Sequence, residues 1–191
     1  MNTVIGLLRH GQTDWNVDMR LQGISDIPLN DFGRQQAVVA AEVLKTQGWQ
    51  SIISSPLSRA FETAQIVGSA MGLEDIKIQQ LLLERSFGVA EGMTYDQWKL
   101  DFTHGHNAED SETISELDAR VLRLLEELAQ SCAGTRTLTV SHGALIRRII
   151  HIVSNGEFPR DGERFGNASL TVIAHDVSGW QIVDYNPNPV S

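Results

Sequence analysis

Two histidines share one local setting. The apolar run Val4-Ile5-Gly6-Leu7-Leu8 stops at Arg9-His10-Gly11, and the β-rich run Thr137-Leu138-Thr139-Val140 stops at Ser141-His142-Gly143. Such runs read as buried strands of a parallel sheet. Arg9, His10 and His142 should therefore project from carboxyl ends, the edge where open α/β sheets bind ligands. A histidine so placed serves as a metal ligand, a general base, a nucleophile or a satisfied core residue. Two parallel strands ending alike can bring both imidazoles into one crevice. Arg59 falls in the first turn of a helix expected to open at Ser55-Pro56, where unpaired N–H groups and the positive dipole end favour an anion. Taken by itself, an arginine there is more often a solvated surface residue. Glu84 follows Leu81-Leu82-Leu83, so partial desolvation should favour its protonated form.

The elements that must hold these residues alternate between strand and helix. After the strand ending at Arg9, the turn-rich stretch from Leu21 to Leu29 is long enough to fold back over the strand end. Asn30 should cap a helix from Gly33 to about Thr46. Short strands are expected at 51–54 and 76–78, a short helix carrying Trp98 at 94–102, and an amphipathic helix at 111–130 with apolar positions 114, 117, 121, 124, 125 and 128. The strand ending at His142 leads into a helix from Ala144 to about Val153. Strands at 169–174 and 180–185, joined by a turn at 177–179, close the chain. This order predicts one domain over residues 1–191, a three-layer α/β/α sandwich on a largely parallel central sheet. No linker, internal repeat or low-complexity tract divides it.

Bulk properties narrow the partners. Fifteen Lys plus Arg against 24 Asp plus Glu give a net charge of −9. That charge argues against nucleic acid and anionic membranes as partners and requires any anionic substrate to be met by a local cluster of cations. No run is long enough to span a membrane and no signal-peptide pattern opens the chain, which places the protein in the cytoplasm. The single Cys132 excludes an internal disulfide and reads as a small apolar residue. His104 and His106, two apart in an acidic loop, are better read as surface residues than as metal ligands.

Arg9-His10-Gly11-Gln12-Thr13-Asp14-Trp15-Asn16 resembles the signature of the histidine phosphatase superfamily, the phosphoglycerate mutase-like proteins. Further matches run along nearly the whole chain. Gln22-Gly23 is similar to the phosphate-contacting loop, Ser55-Pro56-Leu57-Ser58-Arg59-Ala60 to the second arginine motif, Glu84-Arg85-Ser86-Phe87-Gly88 with Glu91-Gly92 to the acid/base motif, and Ser141-His142-Gly143 to the second histidine motif. The resemblance implies a nucleophile at His10 and a general acid/base at Glu84. It also implies phosphate contacts from Arg9, Asn16, Gln22, Gly23, Arg59, His142 and Gly143, with no cofactor and no metal.

These roles suit the chemistry of a phosphomonoester. The enzyme must supply on the order of 20 kcal/mol or more, chiefly by positioning and charge stabilisation. Forked, permanently charged arginines fit the equatorial oxygens. Neutral His10 can attack phosphorus through one ring nitrogen if the other holds its proton on a backbone acceptor. Gly11 would leave that approach open, and His142 as a cation would add a further hydrogen bond. The expected activity is hydrolysis of a small phosphorylated metabolite by a monomer or homodimer. The alternatives are a cofactor-dependent phosphoglycerate mutase and an idle phospho-ligand-binding module. A metallohydrolase using both histidines would lack a carboxylate set and would face two repelling arginines. Residues 86–112 should cover the site, with Phe87 and Trp98 offering apolar contact. Glu109 and Asp110 should repel a second anionic group, which would disfavour a mutase. Phe87 also stands where the mutases that the chain resembles carry a tyrosine.

Overall fold

A computed structural model of the chain describes residues 2–102 and 108–190. Six strands form one sheet: β1 (Thr3–Arg9), β2 (Ser51–Ser54), β3 (Ile76–Ile78), β4 (Arg136–Ser141), β5 (Leu170–Asp176) and β6 (Gly179–Asp184), in the order β3-β2-β4-β1-β5-β6. β1 to β4 run parallel, β5 is antiparallel to β1, and β6 returns as a hairpin partner of β5. The largely parallel expectation thus holds, with four of the six strands parallel and both histidines at the end of that parallel part. β1 and β4 are adjacent in register, with Arg9 opposite Ser141, so His10 and His142 leave the same edge one residue later.

Alternation along β1 sorts its side chains between two helical layers. Ile5 and Leu7 pack with Leu117, Val121, Leu124 and Leu128 of α5 (Ile114–Ser131) and with Leu145, Ile146 and Ile149 of α6 (Gly143–Val153). Leu8 faces the other side, among Ala40, Ala41 and Leu44 of α2 (Asp31–Leu44) and Ala60, Ala64 and Val67 of α3 (Ser58–Met71). Each fully buried leucine or isoleucine contributes about 1.5–3 kcal/mol. Small alanines line the α2–α3 side, which lets those helices lie close to the sheet. Two short helices complete the set, α1 (Asp14–Val17) and α4 (Tyr95–Asp101). α1 was not anticipated, because a single turn leaves no periodic signal.

Four helix starts carry a side-chain cap and two, α3 and α6, do not. The side chains of Asn30, Thr94 and Thr113 accept from the N–H groups of Gly33, Gln97 and Glu116, capping α2, α4 and α5. α3, expected to open at Ser55-Pro56, instead begins at Ser58, with Leu57 at its cap position and no cap bond from that side chain. Asp26 substitutes from the 21–29 loop, its Oδ1 accepting from Ser58 N at 2.8 Å and Ser58 Oγ at 2.7 Å. Ser55 is thereby left for a partner just beyond β4, His142. Among the described residues no helix is long and apolar enough to cross a membrane. His104 and His106 lie outside the described residues.

Candidate active site

The end of β1 and the first turn of α6 line a cavity of about 650 Å³, which Arg9, His10 and Gly143 face and His142 does not line. His10 is 2% exposed and His142 is fully buried, and their ring centroids lie 5.2 Å apart. His10 Nδ1 bonds the carbonyl of Gly11 at 2.7 Å. A carbonyl only accepts, so Nδ1 carries the proton and the lone pair of Nε2 is free toward the cavity that His10 lines. Burial, with Arg59 and Arg9 adding to it, holds the His10 imidazole well below its ordinary value of 6.5, so the ring is neutral at neutral pH.

The backbone around this nucleophile position is fixed from several sides. His10 N donates to Ser141 O of the neighbouring strand at 3.0 Å. Gly11 N donates to Thr63 Oγ1 of α3 at 3.1 Å. Asn167, in the turn before β5, donates through Nδ2 to His10 O at 3.1 Å, Gly11 O at 3.2 Å and Asn16 Oδ1 at 3.0 Å. Sequence reasoning passed over Asn167. Gly11 departs from its expected role: a Cβ there would stand 2.3 Å from Gly33 O, so this glycine permits α2 to approach the strand end rather than clearing a path for a ligand.

The two arginines are held by backbone carbonyls. Arg59, fully buried, donates from Nη1 to Ser25 O at 2.7 Å, from Nη2 to Gly23 O at 2.8 Å and from Nε to His142 Nδ1 at 3.2 Å. Burial pulls its guanidinium down to about 10, which leaves it charged at neutral pH. Three of its five N–H donors are used, and the residue lines the cavity. Arg9 donates from Nη1 to Phe165 O, and its Nε is buried without a partner. Burial lowers Arg9 as well.

His142 is not the cation expected from sequence. Arg59 Nε can donate only to an unprotonated Nδ1, so the proton is on Nε2, which donates to Ser55 Oγ at 2.7 Å. Burial first, then Arg59, His10, Arg9 and Arg120, push this imidazole well below its ordinary value. Ser55, freed from its expected capping role, thus orients the second histidine. Ser141 Oγ donates to Leu82 O at 2.8 Å and ties β4 to the segment that carries the acid.

Glu84 also differs from expectation. Its carboxylate does not rest on an apolar flank but gathers backbone donors: Ala144 N at 3.0 Å on Oε2, Leu145 N at 2.9 Å and Arg85 N at 2.9 Å on Oε1. Glu84 therefore sits at the N-terminus of α6, the helix that His142 opens, and lines the cavity. Arg120 of α5 holds the segment in place through Leu81 O, Leu83 O and Glu84 O while pairing with Glu112 at 2.6 Å.

The remaining sequence candidates converge on the same cavity. Asn16, Gln22, Gly23 and Gly143 line it. The amide oxygens of Asn16 and Gln22 both accept from Thr13 Oγ1, at 3.2 and 3.0 Å, which leaves their NH2 groups without a protein acceptor among the described residues. Gly23 turns its carbonyl to Arg59 and is held at φ 54°, with Glu91 Oε1 only 1.9 Å from where a Cβ would stand. Gly143 is the first residue of α6, where a backbone N–H has no intrahelical partner. Phe87 lines the cavity, whereas Trp98 packs behind it against Phe87 and Tyr95. Glu109 and Asp110, expected over the site, do not line it; Arg20, Lys99, Arg147 and Arg164 do. The cavity mouth is therefore cationic, and the expected repulsion of a second anion does not hold.

The family model described as histidine phosphatase superfamily (branch 1) matches residues 5–188. The chain belongs to that superfamily. This histidine phosphatase is 35% identical over 186 residues to phosphatase PhoE of Bacillus subtilis (strain 168), covering 97% of the chain and 95% of the relative. It is 33% identical to a probable phosphoglycerate mutase, GpmB, of Yersinia pestis (strain Pestoides F), covering 91% and 86%. Among solved structures, a mycobacterial glucosyl-3-phosphoglycerate phosphatase in complex with VO3 superposes with a TM-score of 0.82 at 29% identity, covering 96% of this chain and 99% of the other.

Proposed function

We propose that this histidine phosphatase hydrolyses small phosphomonoesters through a phosphohistidine on His10, without a metal. One observation carries the reading: a neutral imidazole, its Nδ1 proton fixed on Gly11 O, directs a free Nε2 into a cavity walled by the buried Arg59 and the half-buried Arg9.

In the first step the Nε2 lone pair attacks phosphorus and the bond from phosphorus to the ester oxygen breaks in line. Arg9 and Arg59 bind the equatorial oxygens through their remaining N–H groups, and Asn16 and Gln22 add neutral donors. Glu84, which takes up a proton as the substrate's phosphate dianion enters beside its carboxylate, gives that proton to the departing alkoxide. In the second step Glu84 takes a proton from water, the water oxygen attacks phosphorus, and the P–N bond breaks to return neutral His10 and inorganic phosphate. Glu84 suits this work because it lines the same cavity as His10, Arg9 and Arg59. The other cavity-lining carboxylate, Glu163, is engaged with Tyr185 Oη and Arg160 N. Two cations beside the histidines would repel a metal ion, and among the described residues no three His, Cys, Asp or Glu side chains group to hold one.

Mixing the protein with a labelled aryl phosphate and quenching in base should trap an acid-labile label on His10, absent from His10→Ala. Label on serine, or none in a burst with full turnover, would contradict the covalent route. The likeness to a probable mutase favours a second reading, transfer to another hydroxyl. Supplying 3-phosphoglycerate with catalytic 2,3-bisphosphoglycerate decides between them: phosphate release with negligible 2-phosphoglycerate supports hydrolysis, and faster isomer formation supports the mutase. EDTA should leave activity intact; full loss restored by zinc would revive a metal mechanism.

A further inference from the structure

We infer that Asn167 is a positioning residue for the reaction: its side-chain amide sets both the tautomer of His10 and the orientation of the Asn16 amide toward the phosphoryl group, an assignment that rests on the phosphatase reading of the same cavity. Asn167 lines that cavity from the turn before β5. Its Nδ2 reaches three acceptors, His10 O at 3.1 Å, Gly11 O at 3.2 Å and Asn16 Oδ1 at 3.0 Å. Two protons serve three acceptors, so one is shared by the two carbonyls and the other goes to Asn16. Backbone bonds pin the turn itself. Ala168 N donates to Arg9 O at 3.1 Å and His10 O at 3.2 Å, Gly166 N to Pro187 O at 2.7 Å and Val190 N to Ala168 O at 3.0 Å. Asn167 is therefore held against the end of β1 before any ligand arrives.

A neutral imidazole has two tautomers, and only the one protonated on Nδ1 leaves Nε2 free to attack. The choice rests on the carbonyl of Gly11, which accepts from His10 Nδ1 at 2.7 Å. Glycine restricts the peptide plane that follows it less than any other residue does. That plane is held at both edges instead: Asn167 donates to Gly11 O, and Gln12 N donates to Gln36 Oε1 of α2 at 2.9 Å. Turning the plane over would offer the Gln12 N–H to Nδ1, favour the proton on Nε2 and remove the nucleophilic lone pair.

The same amide fixes a phosphate donor. Asn16 Oδ1 accepts from Thr13 N at 3.1 Å and from Asn167 Nδ2, so two committed donors hold the oxygen and leave the Asn16 NH2 for a ligand in the cavity that this residue lines. Reversed, the amide would set its NH2 against two N–H donors and offer an oxygen to an anion. Both changes would weaken phosphate binding. One residue, 157 positions from His10 and 151 from Asn16, thus aligns the attacking atom with a donor to the group it attacks.

The test reads the tautomer directly. With isotope-labelled histidine, the ring-nitrogen NMR signals missing from His10→Ala should show the resting protein in a single Nδ1–H form. Asn167→Ala should bring in the Nε2–H form and lower kcat/KM for an aryl phosphate roughly 10- to 100-fold. A merely structural role would lower Tm and rate and leave the tautomer alone. In an Asn16→Ala background, Asn167→Ala should cost at least ~3-fold less than in the parent, because part of its effect passes through Asn16. A resting His10 with its proton on Nε2, an unchanged tautomer in Asn167→Ala, or losses that multiply independently in the two backgrounds would overturn the inference. If Asn167→Ala does not fold, Gln36→Ala decides, since it frees the other edge of the same peptide: a second tautomer supports the inference and an unchanged one overturns it. Failure of the phosphatase reading would look different, with no phosphate released from p-nitrophenyl phosphate by the unaltered chain, while the resting tautomer is read without turnover.

Discussion

The nucleophile position depends on a histidine that stays neutral among cations. An ordinary imidazole titrates near 6.5, whereas His10 is held well below that by burial, Arg59 and Arg9 in that order. The expected kcat/KM for an aryl phosphate, corrected for the substrate's own ionisation, is therefore flat from pH 7.5 down to 5.5. An unperturbed imidazole would leave only about a tenth of the enzyme competent at one unit below its value. Arg59→Met should lower activity and also move the acid limb to higher pH, since removing a neighbouring cation favours the protonated ring. A purely structural role for Arg59 would lower the rate without that displacement. The same groups couple to stability with a definite sign. The unfolded chain binds protons on both histidines below about pH 6.5 and the folded chain does not. Their contribution is thus complete above that value and is lost progressively as pH falls from it toward the depressed values of the folded state.

At the scale of elements, the site depends on two close approaches. Glu91 accepts from Ile24 N at 3.0 Å, Ser25 N at 2.9 Å and Ser25 Oγ at 2.5 Å, and so fixes the loop whose carbonyls hold Arg59. Gly11 and Gly33 let α2 meet the end of β1, and a Cβ on either would press within 2.3 Å of backbone. Gly11→Ala should cost about 1–3 kcal/mol by overpacking, a fall in Tm of roughly 2–12 °C for a chain of this size. A melting curve that matches the parent would contradict the packing account. The histidines were legible in sequence because a buried run ending in His-Gly is a local pattern, and Asn30 announced its helix for the same reason. Asn167, Ser55 and the cap supplied by Asp26 were not, since each meets its partner only after the chain has closed: Asn167 is 157 residues from His10. The cationic mouth was missed because a sequence interval is a poor guide to a wall. Arg147 and Arg148 are adjacent, yet one faces the cavity and the other pairs with Asp118, as a rotation of 100° per residue requires.

For the molecule as a whole, six of the 15 basic residues line one cavity beside only two acids, in a chain of net charge −9. Arg9 and Arg59 disfavour each other's charge, and both disfavour protonation of the histidine pair. The ligand-free fold therefore carries a cost of confined like charge that an anion relieves. That anion would meet elements from both helical layers, through Arg59 on α3 and Gly143 on α6, and the central strand β1, through Arg9. An anion bound there holds together parts that must separate on unfolding. At 100 times its dissociation constant such a ligand stabilises the fold by about 2.7 kcal/mol, which corresponds to a rise of roughly 5–11 °C in Tm. Inorganic phosphate or vanadate should produce this shift. Chloride at equal ionic strength should not, because screening over ~8–10 Å weakens long-range repulsion without filling the clamp. Arg59→Met should melt lower than the parent, since three buried acceptors lose their donor, and should no longer respond to phosphate. A parent protein whose Tm is unchanged by saturating phosphate or vanadate, or an Arg59→Met variant that still responds in full, would contradict the assignment of this cavity to the phosphoryl group.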